Sequence, residues 1–219
     1  MKLILTSDFP ERAPARVVAA LKNAADNPRI AWIPPHTDAT GGAFAAAQER
    51  FAALGFTELE CLDIDEECDA VQLAYLHEFD VVFLSDGDPV RFRYNALRSG
   101  LSGRLRQCAA SGRTIVGAGG GALLLTPNVS ILRLAHEPAA DVLATRPRLD
   151  ALAAVPYELL PHANRWPPPM LDRVREYSAQ IDHDIVAVAD GGALFHNGSR
   201  ALHSEGDIVR YRKGQIIEA

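Results

Sequence analysis

The stretch from Arg113 to Pro127, Arg-Thr-Ile-Val-Gly-Ala-Gly-Gly-Gly-Ala-Leu-Leu-Leu-Thr-Pro, constrains this chain more than any other. It opens on a short β-branched run, crosses three consecutive glycines and turns apolar in a way that suits a helix. Glycine takes positive φ without a Cβ clash, so the run predicts a strand that turns sharply into a helix. Many α/β enzymes hold a nucleophile at such a turn, in the pattern Gly-x-Ser-x-Gly. The frame Gly117-x-Gly119-x-Gly121 fits that pattern except at its centre, where Gly119 stands in place of the serine.

The segments on either side extend the pattern. Strands are expected at Leu3 to Leu5, Ile30 to Ile33, Glu58 to Leu62, Val81 to Leu84 and Thr114 to Val116. Between them, apolar residues at helical spacing predict helices over 14–23, 43–54, 66–77, 90–98 and 101–110. Alternating strands and helices predict an α/β fold: a mostly parallel, doubly wound sheet covered by helices on both faces. Loops at the carboxyl ends of such strands build the binding site, so Asp8, Pro34 to His36, Asp86 to Pro89 and Gly117 to Gly121 should converge. Beyond Ala122 the regularity fades. Residues 136–157 read as loop, Met170 to Gln180 as a helix, and the short strands after Ile185 as a small C-terminal antiparallel hairpin addition. No repeat or linker interrupts the 219 residues, which read as one domain spanning 1–219.

Composition removes several classes. A formal net charge of −6 argues against a nucleic-acid partner, because phosphate neutralisation needs clustered Lys and Arg. No apolar run reaches membrane-spanning length, and the start of the chain lacks a signal-peptide pattern. Three irregularly spaced cysteines, Cys61, Cys68 and Cys108, suggest reduced thiols and a cytoplasmic location. Neither a membrane nor a cofactor is implied, and a homodimer stays open.

Taken in order, Leu5-Thr6-Ser7, Phe83 to Pro89, Gly117 to Asn128 and Leu160-Pro161-His162 resemble peptidase family S51, which includes peptidase E and cyanophycinase. The resemblance implies a class I glutamine amidotransferase-like, flavodoxin-like three-layer sandwich and serine-type acyl transfer. It assigns the base to His162 and one oxyanion donor to the N–H of Gly120, with another from the Asp86-Gly87 turn. Glu137, then Asp141, are the candidates for the acid that orients the histidine. The substrate implied is a short peptide with an acidic N-terminal residue, for which Arg91, Arg93 and Arg165 are candidate cations. The ligand class is a small peptide or amino-acid-like molecule.

Gly119 and Asp86 depart from the family pattern. Gly119 carries no hydroxyl, and Asp86 brings a carboxylate to a loop where negative charge must be stabilised. Together they favour a pseudoenzyme: a serine peptidase homologue kept for binding or regulation. A second reading keeps hydrolysis of acidic peptides and changes its chemistry. Asp8, Asp86, Asp88, His162 and His36 would hold a divalent metal or activate water, or Ser85 or Thr126 would replace the nucleophile. The metal set would be Asp8, Asp86 and His162. A third reading takes Gly117-x-Gly119-x-x-Ala122, with Glu137 about 20 residues on, as a dinucleotide-binding fingerprint. Asp86 and Asp88 also fit plain turn residues that bond nearby N–H groups.

Overall fold

The computed structural model describes residues 2–66, 68–197 and 200–217. The strands β1 (Lys2–Thr6), β2 (Ile30–Ile33), β3 (Leu59–Cys61), β4 (Val81–Leu84) and β5 (Thr114–Ala118) are parallel in the order 3-2-4-5-1. The central β2 and β4 are apolar at every position because both faces of the sheet are covered there. Alternate side chains serve opposite layers. Ile4, Trp32, Phe83 and Val116 meet α1 (Ala15–Lys22) and α2 (Gly42–Ala53) through Val17, Leu21 and Phe51. Leu3, Leu5, Ile33, Leu84 and Ile115 face Phe92 and Ala96 of α4 (Pro89–Arg98) and Leu101, Leu105 and Cys108 of α5 (Leu101–Ala110). The short α3 (Ala70–Ala74) completes this second layer through Leu73.

The expected helix over 66–77 is shorter, since Asp69 caps α3 through Val71 N and Gln72 N and a 3₁₀ turn, Leu76–Glu78, follows. Glu67, which that helix would have included, lies outside the described residues. Residues 136–157 are not all loop. They contain α7 (Ala139–Thr145) and a 3₁₀ turn, Arg146–Leu149. Val142 anchors α7 in a third apolar cluster together with α8 (Pro168–Ser178).

The expected C-terminal antiparallel addition is present, and its strands divide between two sheets. After β6 (Tyr157–Leu160) and β7 (Asp184–Val188), the hairpin β8 (Ala193–Asn197) and β9 (Arg200–Glu205) joins the edge of the main sheet, with β8 antiparallel to β1. The hairpin β10 (Ile208–Arg212) and β11 (Gln215–Ile217) instead pairs with β7, which lies parallel to β6, and makes a separate four-stranded sheet. Among the described residues, no helix is long and apolar enough to cross a membrane.

Candidate functional site

The glycine run forms the expected elbow. β5 ends at Ala118, Gly119 takes φ 48° and ψ −115°, and α6 (Gly120–Leu124) starts at the next residue. Close packing requires glycine here: a Cβ at Gly117 would lie 2.6 Å from Ala122 Cα, and one at Gly120 would strike the Gly87 carbonyl. At Gly119 the obstacle is a side chain. A Cβ there would collide with Oδ1 and Cγ of Asp86 and come within 2.8 Å of its Oδ2.

Asp86 follows β4 in the facing loop. Its Oδ1 accepts from Gly87 N and Gly120 N, each at 2.7 Å. These are the two backbone groups that the sequence assigned to the oxyanion. The Asp86 carboxylate therefore fills the space of an elbow side chain and occupies both of these N–H groups. Burial disfavours its charge, but His162, 3.6 Å away, and the hydrogen bonds from Gly120 N and Gly87 N outweigh this and hold its pKa below the ordinary value.

His162 comes from the end of β6. Pro161 stops the strand, and His162 turns left-handed at φ 55° and ψ 37° before a 3₁₀ turn, Ala163–Arg165. Left-handed backbone is uncommon outside glycine but enriched in histidine. The Ser7 hydroxyl at the end of β1 pins this turn by accepting from His162 N at 2.8 Å. The ring Nδ1 lies 2.8 Å from Asp190 Oδ1. A carboxylate only accepts, so Nδ1 carries the proton and Nε2 faces Asp86 Oδ2, 3.6 Å away. Asp86 is the main cause that raises the His162 pKa. Burial opposes it, and Asp190 adds to it.

Asp190 is the acid that sequence reasoning missed. It lies in the turn after β7, its side chain 2% exposed, with Arg165 Nε at 2.5 Å and Asn164 Nδ2 at 3.3 Å. Burial opposes its charge, but bonds from His162, Arg165 and Asn164 bring its pKa down to about 2. Glu137 is instead paired with Arg133, whose Nε donates to it at 2.7 Å from four residues back. Asp141 sits in the first turn of α7. The available signal was Asp190-Gly191-Gly192 directly after an apolar strand, the position where α/β sheets present functional groups.

The remaining candidates have structural partners. Asp88 caps α4 by accepting from Val90 N at 2.8 Å and Arg91 N at 3.1 Å. Asp8 accepts from Gly191 N at 2.7 Å and lies near Arg12 and Arg165. It does not join Asp86 and His162 in a metal cage. Among the described residues, no group of three or more His, Cys, Asp or Glu could hold a metal ion. Thr126 is buried, with its hydroxyl bonded to the Leu123 and Asn128 carbonyls. The Ser85 hydroxyl bonds the Asp86 carbonyl. Arg91 pairs with Asp65, Arg93 with the Asp150 carbonyl and Arg165 with Asp190, which accounts for all three arginines proposed for an acidic substrate. The dinucleotide reading loses its ribose acid, since Glu137 is bound to Arg133, and its phosphate-binding N–H at Gly120 is already taken by Asp86. His36 lines a cavity of about 430 Å³ beside Asp86, whose walls include Phe9, Trp32, Pro34, Pro35 and Phe83.

Asp86, Asp190, Arg165 and Ser7 surround His162, and the two carboxylates set its basicity. Nuclear magnetic resonance titration is expected to place its pKa above the ordinary histidine value, about 6.5, and to show it falling in Asp86→Asn. The same linkage gives a sign for stability. This histidine's contribution is complete below the unfolded pKa and is lost as pH rises through the raised folded value.

The family model for peptidase family S51 matches residues 3–203. Peptidase E of Streptomyces coelicolor is 27% identical over 150 residues, which cover 65% of this chain and 59% of that relative. An uncharacterized peptidase of Listeria monocytogenes is 23% identical over 204 residues, covering 91% and 96% of the two chains. The crystal structure of a peptidase E-type protein from Listeria monocytogenes EGD-e superposes with a TM-score of 0.71 at 22% identity, covering 94% of this chain and 98% of that one. A peptidase from an acI-B1 Actinobacterium gives 0.72 at 19% identity, covering 100% and 94%. The two structures share the fold of the main sheet and its helices. The matched stretch takes in the elbow, the facing loop and the histidine turn, and the chain belongs to peptidase family S51.

Proposed function

We propose that this protein does not carry out serine-peptidase turnover and that its cleft is kept to bind a small peptide or amino-acid-like ligand. One observation carries the reading. Asp86 Oδ1 sits on both oxyanion N–H groups, and its carboxylate overlaps the volume that a side chain at residue 119 would need. A covalent serine route needs a hydroxyl at the elbow and an empty hole. Gly119 removes the first and Asp86 the second. An aspartyl-linked chromogenic dipeptide is therefore expected to stay intact with the purified protein, with and without EDTA. Release of the chromophore above a heat-inactivated control would overturn the reading, and its loss on adding EDTA would point to a metal.

A second reading, hydrolysis by a substitute group, is favoured by one feature. His162 and Asp190 keep the geometry of a base and its orienting acid although the elbow has no serine to serve.

A further inference from the structure

We propose that Asp86 is itself a nucleophile and that the cleft hydrolyses a small apolar electrophile through an ester of the Asp86 carboxylate. This develops the second reading above and gives the retained histidine, acid and oxyanion donors one shared task.

The geometry reverses the usual roles. In a serine enzyme the N–H pair receives the substrate's carbonyl oxygen, and the protein supplies the attacking oxygen. Here the N–H pair holds the protein's own carboxylate oxygen, Oδ1 of Asp86, at 2.7 Å from each donor. It has no room for a substrate oxyanion. It is placed for the oxyanion that forms when water attacks an esterified Asp86. The side chain is 52% exposed and Asp86 lines the adjoining cavity. The adjoining cavity of about 430 Å³ lies within the usual range for small ligands, about 300–1,000 Å³, and is walled largely by apolar groups.

Both steps balance. First, Oδ2 attacks a saturated carbon; an O–C bond forms, and the bond to the leaving group breaks with its electron pair. Halides and sulfonates fit this step because they depart as stable anions and need no proton. Second, water attacks Cγ of the ester and gives up a proton to Nε2 of His162. Negative charge collects on Oδ1 between Gly87 N and Gly120 N. Collapse expels the alkoxide, which takes the proton back from His162 and leaves as the alcohol, while the new carboxyl group gives its remaining proton to solvent and the carboxylate is restored. Water is the only co-reactant.

The charges change in the required order. While Asp86 is ionised it favours the charged imidazolium, which cannot act as a base. Esterification removes that charge, so His162 can release its proton to solvent just as a base is needed. Asp190, bonded to Nδ1 at 2.8 Å, keeps the ring aimed through both steps.

The test uses 1-bromohexane and intact-protein mass spectrometry. His162→Gln should accumulate one hexyl group on Asp86, located by peptide mapping, and lose about 10²–10⁴-fold of bromide release because the general base is gone. His162→Gln combined with Asp86→Asn should carry no adduct. In ¹⁸O-water, the unaltered protein should release bromide and gain ¹⁸O in the Asp86 carboxylate, a readout that depends on no variant folding. No adduct on Asp86 in His162→Gln together with no ¹⁸O in Asp86 of the unaltered protein would overturn the proposal. Bromide release by the Asp86→Asn form at the rate of the unaltered protein would overturn it too. Either failure leaves the dipeptide assay to decide separately whether serine-type turnover is absent.

Discussion

Asp86→Gly combined with Gly119→Ser is expected to hydrolyse an aspartyl-linked chromogenic dipeptide, while Gly119→Ser alone stays silent. The single variant restores a hydroxyl but leaves the Asp86 carboxylate in its way, with a Cβ at 119 overlapping Oδ1 and Cγ. Overpacking of this kind costs about 1–3 kcal/mol. At about 2–4 °C per kcal/mol for a chain of this size, the single variant should also melt several degrees lower. Removing Asp86 clears the space and frees the N–H groups of Gly87 and Gly120, each expected to contribute about 10²–10³ in rate. His162 and Asp190 are already within 2.8 Å of each other and need no rearrangement. The comparison that matters is kcat/KM of the double variant against each single one. Activity in Gly119→Ser equal to that of the double variant would mean that Asp86 does not block the elbow. A silent double variant that still melts cooperatively would mean that more than these two residues separates the cleft from a working peptidase.

The second large effect is on stability and lies away from the cleft. Glu158, on β6, is fully buried and is contacted by Arg146 Nη2 at 2.8 Å, His183 Nε2 at 3.0 Å and the Tyr177 hydroxyl at 3.1 Å from Oε2. Tyr177 is itself buried, and Arg146 is 21% exposed, so removing the carboxylate leaves a guanidinium without its partner in a poorly solvated site. Glu158→Ala should cost about 3–5 kcal/mol, a fall in Tm of roughly 6–20 °C. Glu158→Gln keeps the shape and an acceptor for Arg146, so its loss should be clearly smaller. Equal losses in the two variants would show that packing rather than charge governs the position. The effect should reach the cleft as well, because β6 runs directly into Pro161 and His162.

Much of this architecture is legible in the residues because its cause is local. Val81 to Leu84 and Ile30 to Ile33 are apolar at every position because both faces of the sheet are covered, and that pattern needs no knowledge of partners. The C-terminal strands resist such reading. Residues 200–205 carry no apolar alternation that would mark a strand, and β9 exists because β8 offers it an edge. Which hairpin joins which sheet depends on pairings beyond the hairpin itself, with β1 at the other end of the chain and with β7. α7 was hidden for a similar reason. Its helix is held by Val142 in a cluster with α8 rather than by a clear amphipathic repeat.

The site divides along the same line. The chain by itself determined the elbow, because glycine takes φ 48° at residue 119 without a Cβ clash and only glycine at 117 and 120 leaves room for Ala122 and Gly87. It also determined the absence of a hydroxyl there and the presence of a carboxylate in the facing loop. Tertiary structure alone decided that this carboxylate enters the gap left by the missing side chain and bonds the N–H groups of the elbow and its own loop. It alone set Asp190, not Glu137, against His162. Both are decisions of distance between strand ends, 34 residues apart for Asp86 and Gly120 and 28 for His162 and Asp190. Electrostatics acts across those few ångströms, and local sequence does not encode them.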